Sequence, residues 1–137
     1  MDDFNRIRAS FDRQAIMATF GATLAEVTRG AVTVTAPILP LARQQQGFGH
    51  AGLTFSLGDS AAGYAALTLL PEDREVVTSE MKIHLLAPAM GERLVAEGRV
   101  IRPGKRLIVV SADVYAVAQD TRTHIALLTG TMIPVAA

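Results

Sequence analysis

The segment from Leu53 to Leu70 carries one carboxylate, Asp59, among residues that are otherwise apolar, small or hydroxylic. An ionised carboxylate is costly to bury, so Asp59 must be neutralised, paired, exposed or used in chemistry. A carboxyl group whose pKa is raised by burial, or which a few donors keep ionised, can serve as a general base on water or as a nucleophile. The alternative is a structural carboxylate that caps or pairs a group at an interface.

A second group with chemical potential lies at the start of the same segment. His50, Ala51 and Gly52 begin a predicted helix, and Gln44 precedes His50 by six residues. The first N–H groups of a helix have no partner within it, and the helix dipole adds positive potential there. Backbone N–H groups of Ala51 and Gly52 therefore suit a developing oxyanion. For His50, the alternative is a residue that only hydrogen-bonds the preceding loop.

His50 and Asp59 cannot meet within one helix. Nine residues separate them in the sequence, which corresponds to about 13 Å along a helix axis at a rise of about 1.5 Å per residue. We therefore expect His50 to belong to the helix start and Asp59 to face a site that another subunit completes. The composition agrees, because half of the residues are hydrophobic and 19% are charged, as expected for a compact domain with a subunit interface.

The first half of the chain predicts one helical segment and one hairpin. Apolar spacings of three and four predict an N-terminal helical segment, residues 1–18, with its helix over 3–18 and a break near Ser10. Residues 24–28 and 31–36 read as two strands joined by a turn at Arg29 and Gly30. An irregular connection with two prolines and two glycines then leads into the long buried segment.

The second half predicts a long helix and a meander of strands. Residues 50–69 form the main helix, and its apolar character on all sides indicates that other structure wraps it. Four segments with period-two alternation follow, one of them ending at the turn from Pro103 to Lys105. The chain, residues 1–137, is thus predicted to be a single α+β domain. In it an antiparallel sheet of about five to six strands curls around one central helix.

Charge and composition exclude several functions. Thirteen basic residues balance thirteen acidic ones without a long basic run, so neither nucleic acid nor an anionic membrane is an expected partner. The chain has no cysteine and three scattered histidines, which removes thiol chemistry and predicts no metal site. Asp59 and several hydroxyls make the Leu53 to Leu70 segment a poor membrane span. The N-terminus resembles no targeting peptide, so we expect a cytoplasmic protein.

Several short motifs occur in a specific order over residues 20–134. They are "Q-x5-HAG-x6-D", "SAAGYAALTLLP", "VVTSEMKIHLLAPAMGERLVAEGRVIRPGKRLIVV" and a closing strand with "LLTGTM". In this combination the chain resembles the PaaI-type thioesterases of the hotdog superfamily. The resemblance implies the hotdog fold, a curled antiparallel sheet around a long helix, and homodimers that often pair into homotetramers. It also implies hydrolysis of acyl-CoA thioesters at the dimer interface, with no cofactor beyond the coenzyme A of the substrate.

The resemblance assigns roles to individual positions. Asp59 matches the catalytic carboxylate, which acts as general base or nucleophile. His50 and Ala51 match the pair whose second backbone N–H polarises the thioester carbonyl, and Gly52 completes that motif. Gln44 matches an amide that helps to place the water or the thioester, and Thr78 matches a hydroxyl that orients the water. The cations of the "RPGKR" turn lie where relatives meet the CoA phosphates; they are Arg102, Lys105 and Arg106.

Two positions depart from the family pattern. Ala51 stands where "HGG" is commoner; alanine supplies the same N–H but restricts φ, so a helical residue retains the oxyanion geometry. Gly63 stands four positions after the acid, where some relatives carry a hydroxyl. Thr78 or a backbone group is then expected to be the second partner of the water.

Two other functions fit the same fold and stay open at this point. A hydratase or dehydratase acting on acyl thioesters needs a histidine and an acid that converge across an interface, and His50 with Asp59 offers such a pair. A non-catalytic acyl-CoA-binding module is the other alternative. The acyl group is equally open, because Phe48, Phe55 and Tyr64 could line an aryl or a medium-chain pocket.

Overall fold

The computed structural model describes residues 4–137, so the first residues of the predicted N-terminal segment, 1–3, lie outside the described part. The elements in chain order are α1 (Asn5–Arg13), α2 (Ala15–Thr19), β1 (Thr23–Thr28), β2 (Ala31–Pro37), a 3-10 turn (Pro40–Ala42), α3 (Ala51–Leu67), β3 (Arg74–Leu85), β4 (Arg93–Pro103), β5 (Ile108–Ala118) and β6 (Thr121–Ala136).

One antiparallel sheet of six strands, in the order β1-β2-β4-β5-β6-β3, wraps the long helix α3. The helix packs against β2, β3, β4, β5 and β6, and most of its residues are buried. Its apolar character on all sides follows from this position, since sheet surrounds it on several sides. The predicted α+β class, with a curled sheet around a central helix, is confirmed. The helix is shorter than predicted, because it begins after His50 and ends at Leu67.

Two glycines set how closely α3 approaches the sheet. A Cβ atom at Gly98 on β4 would lie 2.3 Å from the backbone carbon of Ala61 on α3. A Cβ atom at Gly58 on α3 would lie 2.8 Å from the side chain of Leu128 on β6. Both distances are shorter than a van der Waals contact. At Gly98 the obstacle is helix backbone, so only glycine lets α3 lie directly on β4, whereas at Gly58 the Leu128 side chain would have to shift. This close packing fixes the height at which Asp59 stands above the sheet.

The N-terminal helical segment breaks at a different residue from the predicted one. The break near Ser10 is wrong, because α1 continues to Arg13 and the chain becomes extended at Gln14, with φ −82° and ψ 95°. The reason is tertiary: the Gln14 side chain hydrogen-bonds Ser60 and Tyr64 on α3. Phe11 and Met17 are buried on either side of the break. The end of α1 and Gln14 therefore pack on α3 beside the residue that follows Asp59.

The two edges of the sheet differ. At one edge, β1 has six residues and a bulge between Leu24 and Glu26. At the other, β3 has twelve residues and pairs only with β6, so its outer backbone groups have no strand partner within residues 4–137. Long unpaired edges of this kind are templates for pairing with a further strand. Edge strand β3 can therefore pair with a strand of another chain.

Within residues 4–137, no helix is both long and apolar enough to cross a membrane. The same part of the chain has no group of three or more histidine, aspartate or glutamate side chains that could hold a metal ion.

Candidate functional site

Asp59 lies on α3 and is partly buried, facing the inner side of β3. Thr78 donates its hydroxyl hydrogen to Asp59 Oδ1 at 2.8 Å. Burial raises the pKa of Asp59 above the ordinary aspartate value, and the Thr78 hydrogen bond partly opposes this rise. Because Thr78 contacts Oδ1, the second oxygen, Oδ2, is available to accept a proton or to attack carbon.

The position of Thr78 depends on an irregularity in β3. The pairing of β3 with β6 shifts between Thr78 and Glu80, where the bulge adds one residue. A bulge changes which side of the strand the following residues face. Thr78 consequently shares the inner face with Met132, to whose sulfur its hydroxyl oxygen lies at 3.3 Å, while Glu80 contacts the hydroxyl of Thr131.

A cavity of about 170 Å³ surrounds Asp59. It follows one face of α3 from Asp59 to Leu67, and the wall opposite is formed by β3, β6 and the N-terminal helices. Most of the lining side chains are polar. The lining residues are Ser10, Gln14, Asp59, Ser60, Gly63, Tyr64, Leu67, Glu75, Val76, Thr78 and Met132.

The start of α3 forms a second polar feature. His50 is the N-cap residue, and its Nδ1 accepts the Gly52 N–H at 2.8 Å. The N–H groups of Leu53 and Thr54 point to the His50 carbonyl. Among the described residues, none accepts a hydrogen bond from the Ala51 N–H. Sequence reasoning counted both Ala51 and Gly52 as free donors, whereas the histidine cap leaves Ala51 alone.

A cavity of about 540 Å³ opens beside this helix start. Gln44, Phe48, His50 and Ala51 line it on the loop side, and Leu85, Leu86 and Ile125 line it on the sheet side. Leu85 and Leu86 are both more than half exposed. The cavity thus combines one backbone donor with a rim of exposed apolar side chains.

Gln44 lies in the second cavity, but its carboxamide is already used within its own loop. Its Oε1 accepts the backbone N–H groups of Gln46 and Phe48, and its Nε2 donates to Gln46 Oε1. The Gln44 N–H also donates to the Phe48 carbonyl at 2.8 Å. In this arrangement Gln44 shapes the loop that leads to His50. Its role in placing a water or a thioester stays a prediction.

The two cavities lie at opposite ends of the chain's inner surface. Thr78 pairs with Met132 at one end of β3, and Leu85 pairs with Ala126 at the other. Leu85 follows Thr78 by seven residues along the strand, a distance of about 23 Å at about 3.3 Å per residue. One copy therefore brings Asp59 and Thr78 together, and His50, Ala51 and Gln44 together, but not the two groups with each other.

The remaining predicted residues fall into three places. Phe48 lines the second cavity, whereas Phe55 packs against the core and lines neither cavity. The cations of the turn after β4 are exposed and lie at the Asp59 end, because Ile108, Met132 and Thr78 occupy one row across β5, β6 and β3. That turn carries Arg102, Lys105 and Arg106.

The other two histidines lie outside both cavities. His84 is exposed on β3, as predicted from its alternation with apolar neighbours. His124 is also exposed, on the outer face of the sheet, where its Nε2 lies 2.9 Å from Asp113. Its ring stacks on Tyr115.

Sequence reasoning missed the polar groups that line the Asp59 cavity from the N-terminal segment. Ser10 contacts the Tyr64 hydroxyl, and Gln14 contacts both Tyr64 and Ser60. The four-residue spacing of Ser60 and Tyr64 on α3 was a usable signal, since it places both on one face of the helix. No pattern in the sequence indicated that Gln14 breaks the helix to reach them.

The family model described as "Thioesterase superfamily" matches residues 46–122 of the chain. This range contains His50, Ala51, Asp59 and Thr78. A candidate esterase of Saccharolobus solfataricus is 42% identical over 66 residues, which are 48% of this chain and 43% of that protein. The chain spans less than two thirds of the length of the curated relatives that it matches.

Three solved structures are similar over most of the chain. A thioesterase family protein of Silicibacter pomeroyi is 38% identical with a TM-score of 0.95 over 98% of both chains. A Bacillus halodurans protein solved with CoA is 35% identical with a TM-score of 0.71, over 75% of this chain and 66% of its own. The PaaI protein of Escherichia coli shares the fold, with 23% identity and a TM-score of 0.86 over 98% of this chain and 94% of its own.

Proposed function

Since the chain belongs to the thioesterase superfamily, we propose that it hydrolyses acyl-CoA thioesters to a free acid and CoA, with Asp59 as the reacting carboxylate. The observation that carries the proposal is the pairing of a partly buried carboxylate with a single hydroxyl donor in a cavity. An unused helix N-terminal N–H at Ala51 supplies the complementary oxyanion donor.

The chemistry needs one proton acceptor and one oxyanion donor. As a general base, ionised Asp59 takes a proton from water while the water oxygen attacks the thioester carbon; the C–S bond then breaks and CoA leaves as a thiolate that takes up a proton. As a nucleophile, Asp59 attacks the same carbon, CoA leaves, and water hydrolyses the mixed anhydride. The Ala51 N–H stabilises the oxyanion in either case. Both routes use the groups that the two cavities provide.

The two cavities combine when two copies pair through strand β3. Directly opposed residues of an antiparallel pair lie on the same face, so the alternation of β3 restricts the possible registers. A two-fold axis at Met81 sets Glu80 opposite Lys82 of the partner subunit, and by symmetry the pair occurs twice. Axes at Glu80 or Lys82 would instead oppose like charges, which is destabilising. Charge complementarity therefore favours the axis at Met81.

This register brings the Asp59 cavity of one copy to the helix-start cavity of the other. Beyond the bulge, the inner-facing residues Thr78 and Val76 come opposite Ile83 of the partner subunit and Leu85 of the partner subunit. Thr78 and Val76 line the Asp59 cavity, and Leu85 lines the cavity that holds His50 and Ala51. Neighbouring strands are about 4.8 Å apart. A homodimer so formed has two complete sites, and a homotetramer stays a prediction.

The substrate class has two supports. The Bacillus halodurans protein was solved with CoA, and CoA is a phosphate-rich group that cations recognise. Arg102, Lys105 and Arg106 lie exposed at the Asp59 end of the sheet, about two strand spacings or roughly 10 Å from Thr78. We assign the CoA phosphates to this turn. The acyl group, aryl or medium-chain, extends into the Asp59 cavity.

A hydratase is less well supported by the geometry. Hydration of an acyl thioester needs a histidine that exchanges a proton with the substrate. His50 Nδ1 already accepts the Gly52 N–H and so caps the helix, which leaves the ring in a structural position at the helix start.

The proposal is tested by thiol release from a panel of acyl-CoA esters. The Asp59→Asn variant is expected to lose activity by orders of magnitude, because an amide neither takes a proton from water nor attacks carbon at neutral pH. Far-UV and near-UV circular dichroism and the oligomeric state control for folding. A wild-type protein that releases no thiol from any ester contradicts the activity, and an Asp59→Asn variant with an unchanged rate contradicts the assignment of the residue.

A further inference from the structure

A polar network that the proposed reaction does not use lines the Asp59 cavity on the side of the N-terminal segment. Gln14 lies between α1 and α2, where its Nε2 donates to the Tyr64 hydroxyl at 3.0 Å. The Ser60 hydroxyl donates to Gln14 Oε1 at 3.0 Å, and Ser10 lies 3.1 Å from the Tyr64 hydroxyl. All four side chains line the cavity. Polar groups in such a place are costly unless they find partners.

The network has more donors than its internal hydrogen bonds consume. Gln14 carries two N–H hydrogens, and Ser10, Ser60 and Tyr64 carry one O–H hydrogen each. The three contacts among them use three of these five hydrogens. Within residues 4–137, one Gln14 N–H and one hydroxyl hydrogen of the Ser10 and Tyr64 pair are left over. This part of the cavity therefore suits a hydrogen-bond acceptor on a bound ligand.

The size and charge of the cavity restrict what that acceptor belongs to. Its volume of about 170 Å³ is close to the roughly 150 Å³ of a cavity that holds one benzene molecule. From Asp59 to Leu67 it follows α3 for eight residues, about 12 Å. Asp59 and Glu75 both line it, and although Arg6 lies 3.8 Å from Glu75, Asp59 has no cationic partner among the described residues, so a free carboxylate on the acyl group would be repelled. A compact and uncharged group with a polar end fits these limits.

We propose that Gln14, Ser10 and Tyr64 are specificity residues, which select acyl groups that carry about six to seven heavy atoms beyond the thioester carbonyl and end in a neutral hydroxyl or carbonyl oxygen. This inference rests on the proposed acyl-CoA hydrolysis. A site whose buried polar groups expect a hydroxyl discriminates strongly against the analogue without one, because those groups are then left unpaired. The N-terminal segment therefore helps to recognise the end of the acyl group by hydrogen bonds, while Asp59 and Ala51 perform the reaction.

The test compares acyl-CoA esters of equal size. 4-Hydroxybenzoyl-CoA is matched with 4-methylbenzoyl-CoA, and 6-hydroxyhexanoyl-CoA with heptanoyl-CoA, while adipoyl-CoA presents a carboxylate instead. The wild-type protein is expected to prefer at least one hydroxylated ester over its methyl partner by about tenfold or more in kcat/KM, and to hydrolyse adipoyl-CoA more slowly than 6-hydroxyhexanoyl-CoA. A carbonyl-ended ester, 5-oxohexanoyl-CoA, separates carbonyl from hydroxyl recognition.

Two variants assign the preference to the network. Tyr64→Phe keeps the ring that packs against Phe11 and removes only the hydroxyl, and Gln14→Leu removes both N–H donors. Each is expected to reduce, several-fold, the ratio of kcat/KM for a hydroxylated ester to kcat/KM for its methyl partner, and this ratio is compared independently of any change in the absolute rates. Arg13→Leu is the matched control, because Arg13 precedes Gln14, is exposed and does not line the cavity.

Three outcomes overturn the inference in distinguishable ways. Equal hydrolysis of hydroxylated and methyl esters by the wild type overturns the specificity and leaves the thioesterase activity intact. Variants that slow both esters equally show that the network only supports the fold. Absence of hydrolysis with every ester overturns the proposed function itself, and the inference with it.

Discussion

The two cavities of this chain differ in size and chemistry, and in the proposed mechanism each provides one half of a catalytic site. The Asp59 cavity is small, polar and built from side chains of α3, β3 and the N-terminal helices. The helix-start cavity is about three times larger, is rimmed by exposed leucines and offers a backbone N–H instead of a side chain. In the proposed mechanism, the first supplies a proton acceptor and the second an oxyanion donor. A helix that carries both groups, about 12 Å apart, would then need a second copy of itself to bring them together.

The largest effect is expected from removing the proposed oxyanion donor without disturbing the helix. Ala51 is the first residue of α3, the position at which proline is most readily accepted. His50 is extended, with φ −66° and ψ 147°, as a residue before proline prefers. Ala51→Pro is therefore expected to lower kcat by about 10² to 10³ through loss of one N–H. Ala51→Gly keeps the N–H and is expected to keep the rate; a fully active proline variant contradicts the donor role.

The same variant decides whether the two halves come from different copies. Ala51→Pro and Asp59→Asn subunits are each inactive alone in this scheme. Random mixing makes about half of the dimers mixed, and each mixed dimer has one intact site of two, so about a quarter of the wild-type activity should return. A site built within one copy would show no recovery. Subunit exchange is confirmed by native mass spectrometry of the mixture.

In the proposed dimer, Glu80 and Lys82 on β3 set the register that joins the two cavities. Glu80→Lys places like charges opposite each other twice in the dimer. Cross-strand charge pairs are worth about 0.2–1 kcal/mol each, so two pairs predict a dimer that dissociates about 2- to 30-fold more readily. Sedimentation equilibrium measures this dissociation. The double variant Glu80→Lys with Lys82→Glu exchanges the charges and is expected to restore the dimer, whereas failure of that rescue argues against the axis at Met81.

Some of this arrangement could be predicted from the sequence. The isolated carboxylate at Asp59 and the spacing of nine residues from His50 predicted a divided site, because helix geometry is local and regular. The helical break at Gln14 and the histidine cap that occupies the Gly52 N–H could not be predicted. Both depend on contacts between distant residues or on a side-chain rotamer, and neither leaves a periodic signal. The network around Tyr64 was missed for the same reason.

The smallest expected effect concerns the hydrogen bond that distinguishes Asp59 from an unpartnered carboxylate. Thr78 donates to Asp59 and lowers a pKa that burial raises. Thr78→Val removes the donor and keeps the shape, so the pKa of Asp59 should rise further. Because catalysis needs ionised Asp59, the acid limb of kcat/KM moves to higher pH, and activity falls most at mildly acidic pH. At pH well above that limb, the carboxylate is ionised in both proteins and the rates should approach each other.

Thr78→Ser is the matched control, since it keeps the hydroxyl and should keep the acid limb in place. A Thr78→Val variant that loses the same fraction of activity at every pH would assign Thr78 to placing the water instead of tuning Asp59. A limb that moves to lower pH would contradict the donor assignment, because loss of a hydrogen bond that stabilises the carboxylate raises its pKa. The direction in which the acid limb of kcat/KM moves, more than the size of the shift, therefore decides whether Thr78 acts through the pKa of Asp59.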